Sequence, residues 1–328
     1  MKGGKPWKDT LKSYLAEMNR TYADGEYQRL SRFFKDEENK KREAARWQRE
    51  REQREARGAI PLSVKMVAKP LYTATFGAND QEQEVEAAIS LYHQLVYQLG
   101  ADTYLQENQR VQKIRMKWQG DEWAFLWPWG WYFEQHHLQD LPPVPEQKTP
   151  QSDQVQEVSM RPVQGGYDRA QAVAYAEKYW NTYNPAYIPF ENDCTNFISQ
   201  CLYAGRIPMI YANSRSQGWW YRGGAKPNWS FSWAVANSLY LLLRSGKAPM
   251  YAVQMGHPSQ LQPGDVICYD FDGDGKWQHN TIVVAKDSQG MPLVNAHTSN
   301  SRMRYWEYRD STAYTPNIRY AYFHIRGT

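Results

Sequence analysis

Cysteine is scarce in this chain of 328 residues, which contains three of them. Cys194 and Cys201 would lie about 10 Å apart on one helix, which is too far for an unstrained disulfide. An odd number of cysteines at such a spacing is not the pattern of a disulfide framework. We therefore expect reduced thiols, with Cys201 and Cys268 as core residues.

Long apolar runs are also missing. No stretch approaches the roughly 20 apolar residues needed to cross a bilayer, and the stretch from Met1 to Tyr22 lacks the short apolar core of a signal peptide. We expect no membrane partner and, by default, a cytoplasmic protein, while export of a processed form stays open.

The chain has no strong excess of charge of one sign. It carries 39 lysines and arginines against 35 aspartates and glutamates, for a net charge of +4. Segment 35–57 has its mixed charges at helical spacing, which is typical of a solvated helix face, so the sequence predicts no nucleic-acid partner. There is no internal repeat, we expect no cofactor, and the oligomeric state stays open.

Aromatic residues, by contrast, are abundant, with 14 tryptophans and 24 tyrosines. Trp219, Trp220, Tyr221 and Trp229 follow one another closely between two predicted helices. Such residues suit a core or the wall of a groove that holds peptide or sugar, and both interpretations stay open.

The pattern of apolar residues predicts an α+β protein in two parts. Residues 1–140 show helical spacing at first and extended, strand-like stretches from Ile60 onward. Segment 141–166, rich in Pro, Gln and Ser, predicts an extended linker and therefore a domain boundary. Residues 89–99 fit both a helix and a strand and stay unassigned.

Residues 167–328 form the second part. Asp168 and Gln171 make a capping-box pattern ahead of a helix, and another helix begins near Cys194. After a third helix over about 233–244, short β-branched or alternating stretches predict an antiparallel meander. We expect the Cys194 helix to pack on this sheet.

Cys194 is the candidate nucleophile. It lies in the first turn of its helix, where unpaired N–H groups and the positive helix end favour a thiolate and where Asp193 can cap. His279 stands at the start of one apolar strand and His297 at the end of the next, so neighbouring strands can bring both rings to one side. A nearby imidazole can take the thiol proton, and a third group can hold that ring in the useful tautomer. This order of residues favours nucleophilic catalysis.

These stretches carry a family resemblance. The segments YDRAQAVAYAEKYWNTYNPAYIPFENDCTNFISQCLYAG, GDVICYDFDGDGKWQHNTIVV and NAHTSNSRM resemble the bacterial "putative amidase domain" family. That family is itself similar to cell-wall endopeptidases of the NlpC type, within the papain-like cysteine hydrolases. The resemblance spans about 167–325. It implies a papain-like fold, a peptide or amide substrate with cell-wall peptides among the candidates, Cys194 as nucleophile, His279 as general base and acid, and His297 as the residue that orients His279.

The resemblance also implies that the aspartate before Cys194 lies beside the site and that the oxyanion is held at the helix start. Asn295 is an alternative to His297 in the third role, because papain-like enzymes can use an amide there and strand alternation puts both residues on one face. The helix is followed by Gly205 and Arg206 where the family leads us to expect two glycines. This departure bears on the substrate more than on the mechanism.

The predicted reaction is attack of the Cys194 thiolate on an amide carbonyl, protonation of the leaving amine by His279 and hydrolysis of the thioester by water. Two alternatives stay open. One is a catalytically idle module that binds peptide or glycan, and the other is an acyltransferase that resolves the thioester with an amine or alcohol.

The stretch DFDGDG matches the first half of a calcium-binding loop through Asp270, Asp272 and Asp274. Thr281 stands where a bidentate glutamate belongs, and a strand rather than a helix precedes the loop. We interpret the stretch as a turn without a metal, with bound calcium as the less favoured alternative.

Overall fold

The computed structural model describes residues 6–76, 83–119, 122–126 and 166–327. The predicted linker 141–166 lies outside the described residues apart from Gly166. The described protein is α+β, with helices packed on a large antiparallel sheet, as the sequence predicts. None of the described helices is both long enough and apolar enough to span a bilayer.

Helices come first in the described chain, and they are α1 (Trp7–Asp24), α2 (Gln28–Ser31) and α3 (Glu37–Arg57). Helix α1 buries the face on which its apolar residues recur at three- and four-residue steps. It ends at Gly25, whose φ of 76° is the left-handed conformation that favours glycine. Helix α3 begins where the Asp36 carboxylate accepts the N–H of Asn39.

The strands that follow are β1 (Ala59–Phe76), β2 (Glu84–Leu99), β3 (Asp102–Gln119) and β4 (Glu122–Phe125). They form an antiparallel meander. The unassigned stretch 89–99 is therefore part of a strand. Its odd-numbered residues Ile89, Leu91 and Leu95 are buried, as the two-residue period of a strand requires.

Strand β1 forms one edge of the sheet. Its register with β2 shifts between Pro61 and Ser63 and again between Pro70 and Tyr72. Proline has no N–H to donate, so it is tolerated at the bulges of an edge strand. Large apolar side chains of β1 are exposed, among them Ile60, Leu62 and Phe76.

Residues 166–327 contain the helices α4 (Arg169–Tyr179), α5 (Cys194–Ala204), α6 (Phe231–Ala234) and α7 (Ala236–Arg244) and a 3₁₀ turn (Pro258–Gln260). The predicted helices at Asp168 and Cys194 are confirmed. The single helix predicted over 233–244 is instead two helices, because the extended backbone of Val235 separates them.

The strands of this half are β5 (Tyr221–Arg222), β6 (Asn228–Trp229), β7 (Val253–Met255), β8 (Val266–Asp270), β9 (His279–Lys286), β10 (Pro292–Ala296), β11 (Asn300–Tyr305) and β12 (Arg319–His324). The predicted antiparallel meander is confirmed for β8 to β10, and β11, which the sequence pattern did not predict, continues it. Strand β12 instead pairs with β8 on the other side.

The main sheet runs in the order β1-β2-β3-β11-β10-β9-β8-β12-β7, and β4 pairs with β3. Strands β3 and β11 pair through Asn300 with Gln109, Ser301 with Asn108 and Arg302 with Glu107. The strands of the two halves therefore belong to one continuous sheet.

Alternate residues of the C-terminal strands pack into different clusters. Val266, Cys268 and Ile282 pack with the α5 residues Phe197, Ile198 and Cys201. Ile267, Tyr269 and Val283 pack in a second cluster with Phe271 and Tyr308. Because strand side chains alternate, α5 covers one face of the sheet and the second cluster lies on the other.

A buried ion pair joins the two halves. The Arg57 Nη2 at the end of α3 lies 3.1 Å from Asp287 Oδ2, and both side chains are buried. The guanidinium also lies 3.6 Å above the ring of Tyr305. Removing one partner of such a pair leaves an uncompensated charge in the interior.

The variant Asp287→Asn tests this junction. Its side-chain oxygen can still accept the N–H groups of Gln289 and Met291, as Asp287 Oδ1 does, but Arg57 loses its counter-charge. We expect the free energy of unfolding to fall by roughly 3 kcal/mol, measured by urea denaturation.

The matched control is Glu52→Gln. Glu52 lies 3.7 Å from Arg309 across the same junction, but this pair is partly exposed, so we expect a loss below about 1 kcal/mol. Equal losses in the two variants would contradict a special contribution from the buried pair.

Candidate active site

Cys194 is the first residue of α5 and is 4% exposed. Asp193 precedes it, and its Oδ1 accepts the N–H of Phe190 at 2.9 Å and an Nδ2–H of Asn196 at 2.8 Å. The carboxylate makes no capping hydrogen bond to a backbone N–H of the helix, contrary to the expected capping role. Instead, it ties the preceding loop to a side chain of the first turn.

Thr298 binds the backbone at the helix start. Its Oγ1 accepts the N–H of Asp193 at 3.1 Å and that of Cys194 at 3.2 Å. Thr298 has a φ of 81°, in the left-handed region that β-branched residues rarely adopt. Sequence reasoning missed this residue, because neither its backbone conformation nor its distant partners leave a local sequence signal.

The Cys194 thiol is buried. Burial raises the pKa of this thiol, because the thiolate would lose its hydration, while hydrogen bonds from the Thr195 hydroxyl and the backbone N–H of Asn280 act in the opposite direction. The distance from Sγ to Thr195 Oγ1 is 3.7 Å. The thiol therefore stays protonated at neutral pH, and the thiolate expected at the helix start does not form there.

His279 begins β9, and its ring packs against Tyr269, Phe271 and Tyr308. Nε2 lies 3.2 Å from the Tyr308 hydroxyl, while Nδ1 makes no hydrogen bond with the described residues. Burial, with a smaller effect from Arg304, lowers the pKa of His279 to about 3. The ring is therefore neutral at physiological pH.

His297 follows β10 and lies against α5. Its Nδ1 is 2.7 Å from Asp193 Oδ2, its Nε2 is 2.7 Å from the carbonyl oxygen of Tyr179, and its ring stacks on Phe197 with centroids 4.0 Å apart. Both polar partners are acceptors, so both contacts are hydrogen bonds only when each ring nitrogen carries a hydrogen. His297 thus pairs with Asp193 and not with His279.

The two predicted histidines lie on different faces of the sheet: the His297 ring packs on α5, whereas the His279 ring packs in the cluster on the opposite face, and each is connected to the surroundings of Cys194 only through another residue. For His297 this residue is Asp193, and for His279 it is Asn280, whose backbone N–H contacts Sγ and whose side chain donates to α5. No hydrogen bond joins the thiol to either imidazole within residues 166–327. The catalytic roles of the three residues stay predictions.

Asn295, the alternative third residue, has other partners. Its Oδ1 accepts the N–H of Met303 at 2.8 Å, and its Nδ2 donates to Glu177 at 2.8 Å and to the carbonyl of Ala176 at 3.3 Å. The amide joins β10 to β11 and α4. No hydrogen bond links it to His279 in the part of the chain that the structure describes.

The aromatic residues considered as a groove wall divide into two kinds. Trp219, Trp220 and Tyr221 are buried core residues, whereas Trp229 is partly exposed. The core interpretation is therefore correct for three of them, and Trp229 alone is available at the surface.

The loop 270–275 is a turn closed by Asp270. Its carboxylate is buried and accepts the backbone N–H groups of Gly273, Asp274 and Gly275. Among the described residues there is no group of three or more His, Cys, Asp or Glu side chains that could hold a metal ion.

Comparison with known proteins agrees with the resemblance of the C-terminal half. Residues 166–323 match a family described as "Putative amidase domain". The C-terminal half is thus an amidase-like domain, and the family description points to amide hydrolysis.

Two proteins of Bacillus subtilis strain 168 are similar to the chain. "Uncharacterized protein YhbB" is 59% identical over 159 residues, which are 48% of this chain and 50% of that protein. "Uncharacterized protein YjcM" is 30% identical over 143 residues, 41% of this chain and 32% of that protein. The matched part of the chain thus covers half or less of the length of each of these two relatives. No solved structure matches the chain.

The raised pKa of the Cys194 thiol predicts its reactivity. Because the thiolate is the form that reacts, alkylation of Cys194 by iodoacetamide should rise with a midpoint above the ~8.5 of an exposed thiol. Peptide mass spectrometry reads each cysteine separately, and glutathione in the same sample gives the exposed-thiol reference. Rapid labelling of Cys194 in mild acid would contradict this expectation.

The lowered pKa of His279 predicts a loss of stability in acid. The unfolded chain binds a proton at this residue below about 6.5, whereas the folded protein does so only near the folded pKa of about 3. Stability should therefore fall as pH falls through this window, by up to about 1.4 kcal/mol per pH unit for this group. Urea denaturation should show a shallower dependence in His279→Gln. His257→Gln, at an exposed histidine, is the control, and an equal change there would refute the assignment.

Proposed function

We propose that the C-terminal domain is a cysteine-dependent hydrolase that cuts an amide or peptide bond, with Cys194 as its nucleophile. The position of Cys194 carries the proposal: it is the first residue of a helix, and the backbone N–H of Asn280 lies at its sulfur. Such N–H groups stabilise the anion that forms when the thiol loses its proton. The family match of the surrounding residues supports an amide as the substrate.

We further propose that the domain has a papain-like fold of the NlpC type. The helix that starts at Cys194 packs on an antiparallel sheet, and the residues that follow in that sheet include both histidines. This order of elements supports the assignment.

His279 is the proposed general base. A neutral ring can accept a proton, and its partners favour one tautomer. If Nε2–H donates to Tyr308 and the Tyr308 hydroxyl donates onward to Ser301 Oγ, 3.4 Å away, the lone pair remains on Nδ1. Tyr308 is then a positioning residue for the base. In the resting protein the His279 ring packs with the second cluster, on the face of the sheet opposite α5. The reaction therefore requires the start of β9 to rearrange, so that the ring leaves the burial that lowers its pKa and Nδ1 comes within hydrogen-bond distance of the Cys194 sulfur.

In the proposed cycle, Cys194 Sγ attacks the carbonyl carbon while His279 Nδ1 takes the thiol proton. The C–N bond breaks as His279 returns this proton to the leaving amine, and a thioester remains. His279 then takes a proton from water, whose oxygen attacks the thioester carbonyl. The C–S bond breaks as His279 gives this proton to the sulfur, which releases the acid and restores the thiol. The N–H of Cys194 can donate a hydrogen bond to the oxyanion once the Thr298 hydroxyl no longer accepts this N–H.

His297 has a supporting role in this proposal. It holds the Asp193 carboxylate and thereby fixes the start of α5, in place of the direct contact with His279 that the family resemblance implies.

A second candidate is a binding module that holds a peptide or glycan without cutting it. One observation favours it: the thiol is protonated and bonded to neither imidazole, so the resting protein contains no assembled nucleophile and base.

Hydrolysis of a library of fluorogenic peptide amides distinguishes the two candidates. We expect Cys194→Ala to lower turnover to background and His279→Gln to lower it by about 10²- to 10⁴-fold. Cys201→Ala changes a buried cysteine of the same helix and should keep most of the activity.

An acyl adduct on Cys194, seen by mass spectrometry after rapid quenching, would support the thioester. Hydrolysis that survives in Cys194→Ala would refute the nucleophile. Peptide binding without any cleavage would favour the binding module.

A further inference from the structure

Asn280 lies beside the candidate nucleophile, on the strand that packs against α5. It is the second residue of β9 and pairs with Cys268 of β8, whose side chain belongs to the cluster that contains α5 residues. Neighbouring side chains of a strand point to opposite faces, so Asn280 points toward α5 whereas His279 points away from it. The Asn280 side chain is fully buried. It therefore lies between the sheet and the start of α5, away from solvent.

The amide of Asn280 is only half satisfied. Its Nδ2 donates to Thr195 Oγ1 at 3.0 Å, whereas its Oδ1 has no hydrogen-bond partner among the described residues. An unpaired oxygen in the interior costs free energy, and an apolar side chain of similar shape would avoid that cost. The bond to Thr195 is therefore the contact that can account for an amide at this position.

This bond decides the direction of the next one. Thr195 is 1% exposed, and its Oγ1 lies 3.7 Å from Cys194 Sγ. An amide NH₂ group can only donate, and a hydroxyl has one hydrogen of its own to donate. Because Asn280 already donates to Oγ1, the hydroxyl hydrogen is free for the sulfur, which is the remaining hydrogen-bond partner of Oγ1 among the described residues.

The Cys194 sulfur thus faces two donors. The backbone N–H of Asn280 also contacts Sγ, so Asn280 supplies one donor directly and orients the other through Thr195. A hydrogen bond to an ionised acceptor is stronger than one to a neutral acceptor. Both donors therefore stabilise the thiolate more than the thiol.

We propose that Asn280 is a positioning residue whose amide fixes the Thr195 hydroxyl as a hydrogen-bond donor to the Cys194 sulfur, so that both residues favour the thiolate in the resting protein. This proposal deepens the proposed function and rests on it for the use of the thiolate in catalysis. If the amide were turned round, Oδ1 would accept the hydroxyl hydrogen and the sulfur would lose one donor. The two orientations of the amide therefore give opposite expectations for a variant without the hydroxyl.

Other ionisable groups also act on the sulfur. Asp193, at the start of the same helix, raises the pKa of the Cys194 thiol through its negative charge and is paired with His297, which follows β10. On β8, the Cys268 thiol is close enough for a charge on Cys194 to raise its pKa. The substitutions below leave these three groups in place, so a change in ionisation reports on the hydroxyl and the amide.

Ionisation of Cys194 in the full chain tests the proposal without a substrate. The cysteines are isotopically labelled at Cβ, whose NMR chemical shift changes when the thiol ionises, and the Cys194 signal is identified by its absence in Cys194→Ser. We expect Thr195→Val to lower the thiolate fraction about tenfold at a common pH below the midpoint, because a hydrogen bond to a charged group contributes at least that much. Thr195→Ala removes the same hydroxyl and is used if Thr195→Val does not fold.

Thr195→Ser keeps the hydroxyl and should keep the thiolate fraction of the unchanged protein. Asn280→Leu leaves the hydroxyl free to rotate, so it should lower the fraction by a smaller factor, and it should add nothing in the Thr195→Val background. Ser199→Ala is the matched control, because it removes another buried hydroxyl of α5, one that bonds Trp219 and Trp233 instead of the sulfur. Thermal melting at the pH of the comparison checks that each variant is folded.

An unchanged thiolate fraction in Thr195→Val would overturn the proposal, and so would an equal fall in Ser199→Ala. Equal effects of Asn280→Leu with and without the Thr195 hydroxyl would show that the amide does not act through this hydroxyl, which would overturn its positioning role. Because no substrate is involved, the expected ionisation can be found even if the proposed hydrolysis fails. Hydrolysis can likewise be confirmed while Thr195→Val leaves the thiolate fraction unchanged.

Discussion

The carboxylate of Asp193 joins three segments of the C-terminal domain and sets the position of the candidate nucleophile. One oxygen holds the loop before α5 and a side chain of its first turn, and the other meets the imidazole of His297, 104 residues further along the chain. The carboxylate is fully buried, and a buried charge without partners would be strongly destabilising. The geometry around Cys194 therefore depends on a pairing between two distant residues.

The pairing of β3 with β11 extends this dependence to the N-terminal half. Arg302 on β11 bonds Glu107 of β3 and Glu177 of α4. Two residues further on, Arg304 lies 3.8 Å from the ring centroid of Tyr308, whose hydroxyl meets His279. The N-terminal strands thus support the segment that surrounds the candidate base, although none of the described hydrogen bonds of His279 reaches them. The two halves share one sheet, despite the linker that the composition predicts between them.

Elements with a strong local pattern could be predicted from the sequence. The helix at Cys194 follows from its apolar spacing, and β8 to β10 follow from short β-branched runs between turns. The choice of distant partners could not be predicted. His297 is compatible with several acceptors, and only the folded chain brings it to Asp193 instead of His279. The prediction of a thiolate at Cys194 fails for a related reason. Burial, which depends on packing, raises the pKa of the thiol and outweighs the local effect of the helix end.

The prolines of β1 affect whether copies of the protein can aggregate through the open edge of the sheet. An open sheet edge with exposed apolar side chains is a template on which a strand of another molecule can add, the first step of aggregation. Pro61 and Pro70 interrupt the row of N–H groups on this edge, and the register shifts beside them bend the strand. The prolines leave two unbroken stretches, residues 62–69 and residues 71–76, and Lys65 and Lys69 place positive charge within the longer one. An incoming copy would therefore meet only short templates, with like-charge repulsion at the longer one, which limits the extension of the sheet along this partly apolar edge strand.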